Sequence, residues 1–402
     1  MKKICEVCGS KNLKSALNLG LSPLCDDLIK FGSNRKSKLY KIQIYTCAIC
    51  ITAFQKYNVN KKKLFPKTYH YRARFTKDVL NGFNEILNKS LILLPSLKNK
   101  NILDIGCNDG SLLDLFKAKK ANTIGVEPTG ASKDAVQSGH KIYSEYFSSK
   151  TVKKIKNNFK TIDLIIFTNV FAHIENLNQL LNNLKKLVSK KTHIIIENHY
   201  FGSVIKKNQF DTFYHEHPRT YSATSFSFIA KKLNMNIQDI QFTKRYGGNI
   251  RVILSKNKNI LNLKKIKTSE KNFCRNLKKM QSKINLWINR KKKIIKKLNE
   301  RFGPLKSKAF PGRASILIKL LNLNNKNISA IYEKPGSIKI GNFAPNTKIP
   351  IKSDHDLFKN IKNTKVILNL AWHIPREIKI YLKQNKFRGK IINIIEQKDF
   401  IL

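Results

Sequence analysis

The chain has 402 residues, 41% of them hydrophobic, and a formal net charge of +53. That length exceeds one ordinary core and calls for two or three domains, while the apolar content excludes wholesale disorder. The charge is spread over the whole chain among abundant Asn and Ile; it reads as a solvated, compositionally biased surface, and a nucleic-acid partner is not expected from it.

Met1-Lys2-Lys3-Ile4-Cys5 is basic but has no apolar run behind it, so no signal peptide is expected. No run of about 18 apolar residues predicts a membrane span. Seven cysteines in so long a chain do not make a disulfide framework. A reducing cytoplasm, where thiols stay free for metal, is the expected compartment. Residues 1–60 read as a small module of turns and short strands. Within it Cys5-x-x-Cys8 and Cys47-x-x-Cys50 can each point two thiolates at one ion, with Gly9 and Ala48 where the chain must bend. Four thiolates close a tetrahedral shell, so the metal expected is structural zinc.

Residues 61–98 form an aromatic, basic connector that turns helical, with Val79, Phe83, Ile86 and Leu87 on one face. Residues 99–258 alternate short apolar strands with helices. The strands fall at 102–105, 123–127, 141–143, 163–167 and 193–197, a pattern that predicts a parallel α/β sheet. Two more strands, 237–242 and 250–254, flank Tyr246-Gly247-Gly248 and predict a hairpin. A Rossmann-like, doubly wound sheet ending in an antiparallel hairpin is the class I methyltransferase variant of the α/β fold. Residues 259–303 predict a long basic linker helix whose stripe, including Leu277, Met280, Ile284, Trp287 and Ile295, packs on its own protein. Residues 304–402 read as a second α/β domain, with strands at 328–332, 366–371 and 390–395.

Asp104-Ile105-Gly106-Cys107-Asn108-Asp109-Gly110 follows a strand and opens a helix. Gly106 permits the sharp turn, Gly110 the close approach of helix and strand, and Glu127 ends the next strand where a carboxylate can hold ribose hydroxyls. Asp104 and Asp109 would repel a pyrophosphate, and the dinucleotide pattern G-x-G-x-x-G is absent. Acids there suit a cationic ligand, which points to S-adenosylmethionine (SAM). Asn108 stands in place of a middle glycine.

Two segments follow later strands, on the usual ligand side of such a sheet. One is Asn169-Val170-Phe171-Ala172-His173-Ile174; the other runs from Gln209 through Tyr214-His215-Glu216-His217-Pro218. Their Tyr, Glu and His groups suit proton transfer near neutrality, with a metal site or a structural polar cluster as the alternatives.

Together these motifs resemble the SAM-dependent sugar C-methyltransferases that act on nucleotide-linked 4-keto-deoxysugars in antibiotic and surface-polysaccharide pathways. The resemblance rests on the cysteine pairs with Gly20-Leu21-Ser22-Pro23-Leu24, the 104–110 loop with Gly125-Val126-Glu127-Pro128, and Phe171-Ala172-His173. It continues in Tyr214-His215-Glu216-His217, Gly247-Gly248-Asn249-Ile250-Arg251 and Pro335-Gly336-Ser337. It implies that His217 is the base beside a sugar ketone, and that Tyr214, Glu216 and His173 position the sugar or stabilise the enolate. Asp104, Gly106, Asn108, Gly110, Glu127 and Asn169 would then serve the cofactor, and Tyr69, Tyr71 and Asn249 the nucleotide-sugar substrate. The chain departs from the family pattern at the basic stretch 70–75 and at Phe310-Pro311-Gly312-Arg313. The rival from another class is a zinc-containing RNA-binding protein or RNA methyltransferase, which would need aromatics interleaved with basic residues on one face.

Overall fold

The apolar runs between residues 101 and 255 become one seven-stranded sheet in the computed structural model, which describes residues 2–69 and 71–401. Met1, Leu402 and His70, the first residue of the basic aromatic stretch, lie outside the described residues. Across the sheet the order is Asn236–Thr243, Asn249–Ser255, His193–His199, Leu164–Thr168, Asn101–Ile105, Asn122–Val126 and Lys141–Tyr143. The last five are parallel, and Asn249–Ser255 runs antiparallel to both its neighbours. This is the class I methyltransferase strand order, hairpin included. Ile102, Leu103, Ile165, Ile166, Ile194 and Ile195 are fully buried because helices cover both faces. Lys77–Leu93 closes one face through Val79, Phe83 and Ile86, and Leu177–Leu187 with Ala223–Lys232 closes the other. Each such side chain contributes about 1.5–3 kcal/mol on burial. Since the five strands are parallel, Gly106, Glu127, Asn169 and His199 all emerge at one edge of the sheet.

The N-terminal strands are longer than expected. Leu13–Pro23 and Leu39–Cys47 form an antiparallel hairpin of 11 and 9 residues. Register shifts at Ser15/Leu17 and Asn18/Gly20 interrupt the alternation of faces, so a period of two is not visible in the sequence. Thr52–Gln55 adds a third strand, and a fourth, Arg219–Thr220, comes from the chain just beyond His217. The zinc module and the histidine loop therefore share a sheet.

Phe273–Phe302 is a single 30-residue helix. Its buried positions are Leu277, Met280, Ile284, Trp287, Lys291 and Ile295, so the apolar stripe packs into the protein as its periodicity predicted. Lys291 sits in that stripe because its ammonium meets Asp399 at 2.9 Å and the Asn393 carbonyl at 3.1 Å. Beyond it lies a five-stranded, wholly parallel sheet in the order Ile351–Ser353, Ile328–Glu333, Leu305–Lys308, Val366–Asn369 and Lys390–Asn393. Two of its strands, Leu305–Lys308 and Ile351–Ser353, were not legible in the sequence. Lysine in a buried strand is intelligible only once Lys308 is seen bonding both oxygens of the buried Asp354, at 2.7 and 2.8 Å.

Candidate active site and zinc centre

The two cysteine knuckles meet at the end of the N-terminal hairpin. Ligand atoms of Cys5, Cys8, Cys47 and Cys50 all lie within 4.8 Å of one another, with Cys5–Cys50 at 3.5 Å and Cys8–Cys47 at 3.4 Å. The first knuckle closes through Gly9, at φ 82°, whose N–H donates to the Cys5 carbonyl at 2.7 Å. In the second the positive φ falls on Ile51 (52°) rather than on Ala48. Four converging thiols fit zinc and leave no ligand position for water, which makes the centre structural. Around it, Thr52 Oγ1 lies 3.1 Å from Cys50 Sγ and 2.8 Å from Ser225 Oγ, and Ser225 donates to the Cys50 carbonyl at 3.1 Å. The metal centre is thus bonded to the first turn of Ala223–Lys232.

At the sheet edge, strand Asn101–Ile105 runs into the 106–110 loop and then helix Ser111–Lys117. Gly106 adopts φ 79°, and a Cβ there would stand 2.4 Å from Val170. Glu127 accepts the Asn108 N–H at 3.1 Å and the Thr129 N–H at 2.8 Å, which holds its carboxylate beside the loop. Asp104 is buried and its Oδ1 has no partner. Burial, then the neighbouring Glu127, pushes its carboxyl up to about 8. An orphaned carboxyl at this place fits the cationic methionyl end of SAM.

One acid of the loop is used differently than expected. Asp109 accepts from the Arg74 N–H and Nε at 3.0 Å and from Ser111 Oγ at 2.6 Å. Burial opposes its ionisation, but the bonds from Ser111 and Arg74 outweigh it and hold the carboxyl below its usual range. Asp109 therefore anchors the basic aromatic stretch instead of facing a ligand. The Asn108 side chain does the same, accepting the Ala73 N–H at 3.0 Å and donating to the Tyr71 carbonyl at 3.1 Å. The Asn108 backbone, at φ 51°, gives its N–H to Glu127, so this residue holds the loop together through both side chain and main chain.

Asn169, also at positive φ (55°), accepts at Oδ1 from Asn249 Nδ2 at 3.1 Å. Asn249 is fully buried, and its amide donates as well to Glu197, a carboxylate that Arg245 and Arg251 grip at 2.9 and 2.7 Å. The sequence contained no periodicity that would group these residues.

The proton-transfer candidates converge beside this edge. His217 is buried, with ring centroids 4.3 Å from Tyr214, 4.8 Å from His173 and 5.2 Å from His199. Its Nδ1 lies 2.8 Å from the Thr212 carbonyl, which can only accept, so Nδ1 carries the hydrogen and Nε2 keeps a free lone pair. Burial lowers the His217 pKa to about 4; the Thr212 bond opposes the shift and the Arg313 charge adds to it. His215 diverges from it, placing Nε2 3.2 Å from the Tyr40 carbonyl. The side chain of Glu216 is buried and bonded to Tyr69, and burial, then Asp26, pushes its carboxyl well up. His173 stacks on Phe65 at 5.3 Å, Tyr69 meets Phe65 edge-on at 5.6 Å, and the Tyr71 hydroxyl lies 3.3 Å from that of Tyr246. The connector thus folds over the histidines.

Several neighbours were missed in the sequence. His199 ends a strand that the pattern stopped at Glu197, and one more alternation would have reached it. Phe65, Asp26, Tyr246 and Arg313 carry no local signal, because each arrives from a distant segment.

Comparison with known proteins finds three successive matches along the chain. A "Putative zinc binding domain" matches residues 5–65, a "Methyltransferase domain" matches 72–240, and a "C-methyltransferase C-terminal domain" matches 244–395. Fold and site define a class I, SAM-dependent methyltransferase. Along this chain the zinc-binding, methyltransferase and C-methyltransferase C-terminal matches follow one another in that order. C-methyltransferase NovU of Streptomyces niveus is 22% identical over 251 residues, 61% of this chain and 59% of NovU. An uncharacterized protein of Haemophilus influenzae is 34% identical over 143 residues, 32% of this chain and 54% of that protein. The matched regions thus span less than two thirds of the length of either relative. Among solved structures, the SAH-bound magnesium protoporphyrin IX methyltransferase of Synechocystis is 13% identical. Its TM-score is 0.36, and the match covers 45% of this chain and 84% of that one.

Proposed function

We propose that this protein moves a methyl group from SAM to a carbon of a nucleotide-linked keto-deoxysugar, the carbon beside the ketone. The observation that carries the reading is His217, clamped at Nδ1 and free at Nε2, with His173 and His199 from two other segments beside its ring. Asp104, Glu127, Asn169 and the 106–110 backbone would hold SAM, which supplies a methyl group on a cationic sulfonium. His217 Nε2 takes the proton from the carbon beside the ketone, and the C–H electron pair shifts to leave charge on the carbonyl oxygen. Tyr214, His173 and Glu216, whose burial favours its protonated form, would donate to that oxygen. Tyr69, bonded to Glu216, and Tyr71 line the sugar. The enolate carbon would take up the methyl group that SAM supplies, the C–S bonding pair staying with the sulfur, and His217 would then return its proton to solvent.

The acceptor's identity is supported by the sequence resemblance and by a basic surface suited to a phosphorylated substrate. The reducing cytoplasm remains the proposed compartment, supported by the cluster of free thiols. No described helix is long and apolar enough to cross a membrane. The RNA reading keeps only dispersed charge in its favour, because the apolar side of the long basic helix is spent inside the protein.

Incubation with methyl-labelled SAM and a panel of nucleotide-linked 4-keto sugars tests the proposal. Label on a sugar carbon is expected. Failure with every keto sugar, together with efficient labelling of RNA, would overturn it.

A further inference from the structure

Asp211 is fully buried and receives three hydrogen bonds from a distant part of the chain. Arg313 donates Nε to Oδ2 at 2.8 Å and Nη2 to Oδ1 at 2.6 Å, and Trp372 Nε1 donates to Oδ2 at 2.8 Å. The guanidinium lies over the Trp372 ring at 5.2 Å, and its Nη2 also reaches Gln209 Oε1 at 3.2 Å. Both donors leave the carboxyl ends of adjacent parallel strands in the C-terminal sheet, Leu305–Lys308 and Val366–Asn369. Asp211 is followed by Thr212, the residue whose carbonyl accepts the His217 Nδ1–H.

We propose that Arg313, assisted by Trp372, is a positioning residue for the base: it clamps Asp211 so that the 210–212 turn presents the Thr212 carbonyl to His217 and keeps Nε2 free. The proposal rests on the reading of His217 as the base. A two-pronged guanidinium–carboxylate bond fixes direction as well as distance, which a lysine could not do. Without its partner, Asp211 would be an uncompensated buried charge, and the turn would move to relieve it. The clamp also places a permanent cation near His217. The other titratable groups facing that ring are His173 from the 171–173 turn, His199 from the strand end and Tyr214 from its own loop. Burial lowers the pKa of all three imidazoles, and the nearby guanidinium adds to the shift at His217 and His199, which favours the neutral form a base needs. The C-terminal unit is thereby part of the proton-transfer machinery without touching the reacting atoms.

The test is histidine ¹⁵N NMR on the full-length, zinc-loaded protein, with the His217 signal identified by its loss in His217→Gln. In the unmodified protein a neutral Nδ1–H tautomer is expected from pH 5.5 to 8. Arg313→Met should raise the His217 pKa by about one unit or more and mix the tautomers. Arg313→Lys keeps the charge and loses the fork; the pKa should hold while the tautomers mix, and transfer to the sugar acceptor should fall about tenfold. Unchanged His217 signals in a folded Arg313→Met protein would overturn the proposal. Should that variant not fold, unchanged signals in both Arg313→Lys and Trp372→Phe would do so. The NMR readout needs no acceptor, so failure of the clamp and failure of the sugar reading are separable.

Discussion

Gln55 holds Tyr214 by its backbone: the Gln55 side-chain amide donates to the Tyr214 carbonyl at 3.3 Å and to that of Phe213 at 3.1 Å. The Gln55 N–H donates in turn to the Pro218 carbonyl at 2.9 Å, so one residue brackets the whole Tyr214–His217 segment. Gln55 ends the strand that begins two residues after Cys50. A metal site that does no chemistry itself is thereby tied to the position of the proposed base.

Gln55→Ala should therefore keep its zinc and lose turnover. Two buried hydrogen bonds at about 1 kcal/mol each correspond to a fall in kcat of roughly tenfold or more. Zinc content by a chromogenic chelator assay should stay at the level of the unmodified protein, with SAM affinity unchanged. Wild-type turnover in a zinc-replete Gln55→Ala protein would show that the loop holds its place without the bracket.

Cys50→Ser should act one step further back. It removes a thiolate from the closed shell and disturbs the contacts to Thr52 and Ser225. Reduced zinc content and a lowered melting temperature are expected, and both are measurable without substrate.

His217→Ala should abolish methyl transfer, by about 10²–10⁴-fold, while leaving SAM binding intact. Calorimetric titration with SAM beside the turnover assay separates the two effects. Unchanged turnover would remove His217 from the base role.

Asp104 should make SAM binding depend on pH. Its carboxyl is pushed up to about 8 by burial and then Glu127, and a cationic ligand favours the ionised form. Affinity should rise as pH increases from 7 through about 8 and level off above it. Asp104→Asn should weaken binding and flatten that profile. A steep profile in the variant would assign the dependence to another group.

Stability should respond to acid through buried histidines. His215 and His217 are both lowered to about 4, first by burial, against an ordinary value of 6.5. A depressed histidine leaves the unfolded chain binding more protons between those values. Its stabilising effect is full above about 6.5 and is lost as pH falls toward 4. Melting temperature should drop progressively from pH 7 to 4.5, and less steeply in His215→Gln. An equal slope in that variant would place the effect elsewhere.

The amino-acid sequence by itself determined the features that are written locally. Two Cys-x-x-Cys turns, the strand–loop–helix at 101–117, the glycine-bearing hairpin and the stripe from Leu277 to Ile295 each depend on spacing within a few turns of chain. Backbone geometry and solvent exclusion act at that range, so the class I sheet and the zinc site were legible. What only the tertiary structure decided is how side chains are spent. Asp104 and Asp109 are equivalent acids in the sequence; folding leaves one orphaned and gives the other to Arg74. His215 and His217 are two residues apart, yet one meets Tyr40 and the other the Thr212 carbonyl. Arg313, a departure from the expected pattern, acquires a role only when Asp211 is brought to it across 102 positions. The physical reason is the same each time. A buried polar group must find a partner, and the partner within reach is set by how the sheets pack, which no local pattern records.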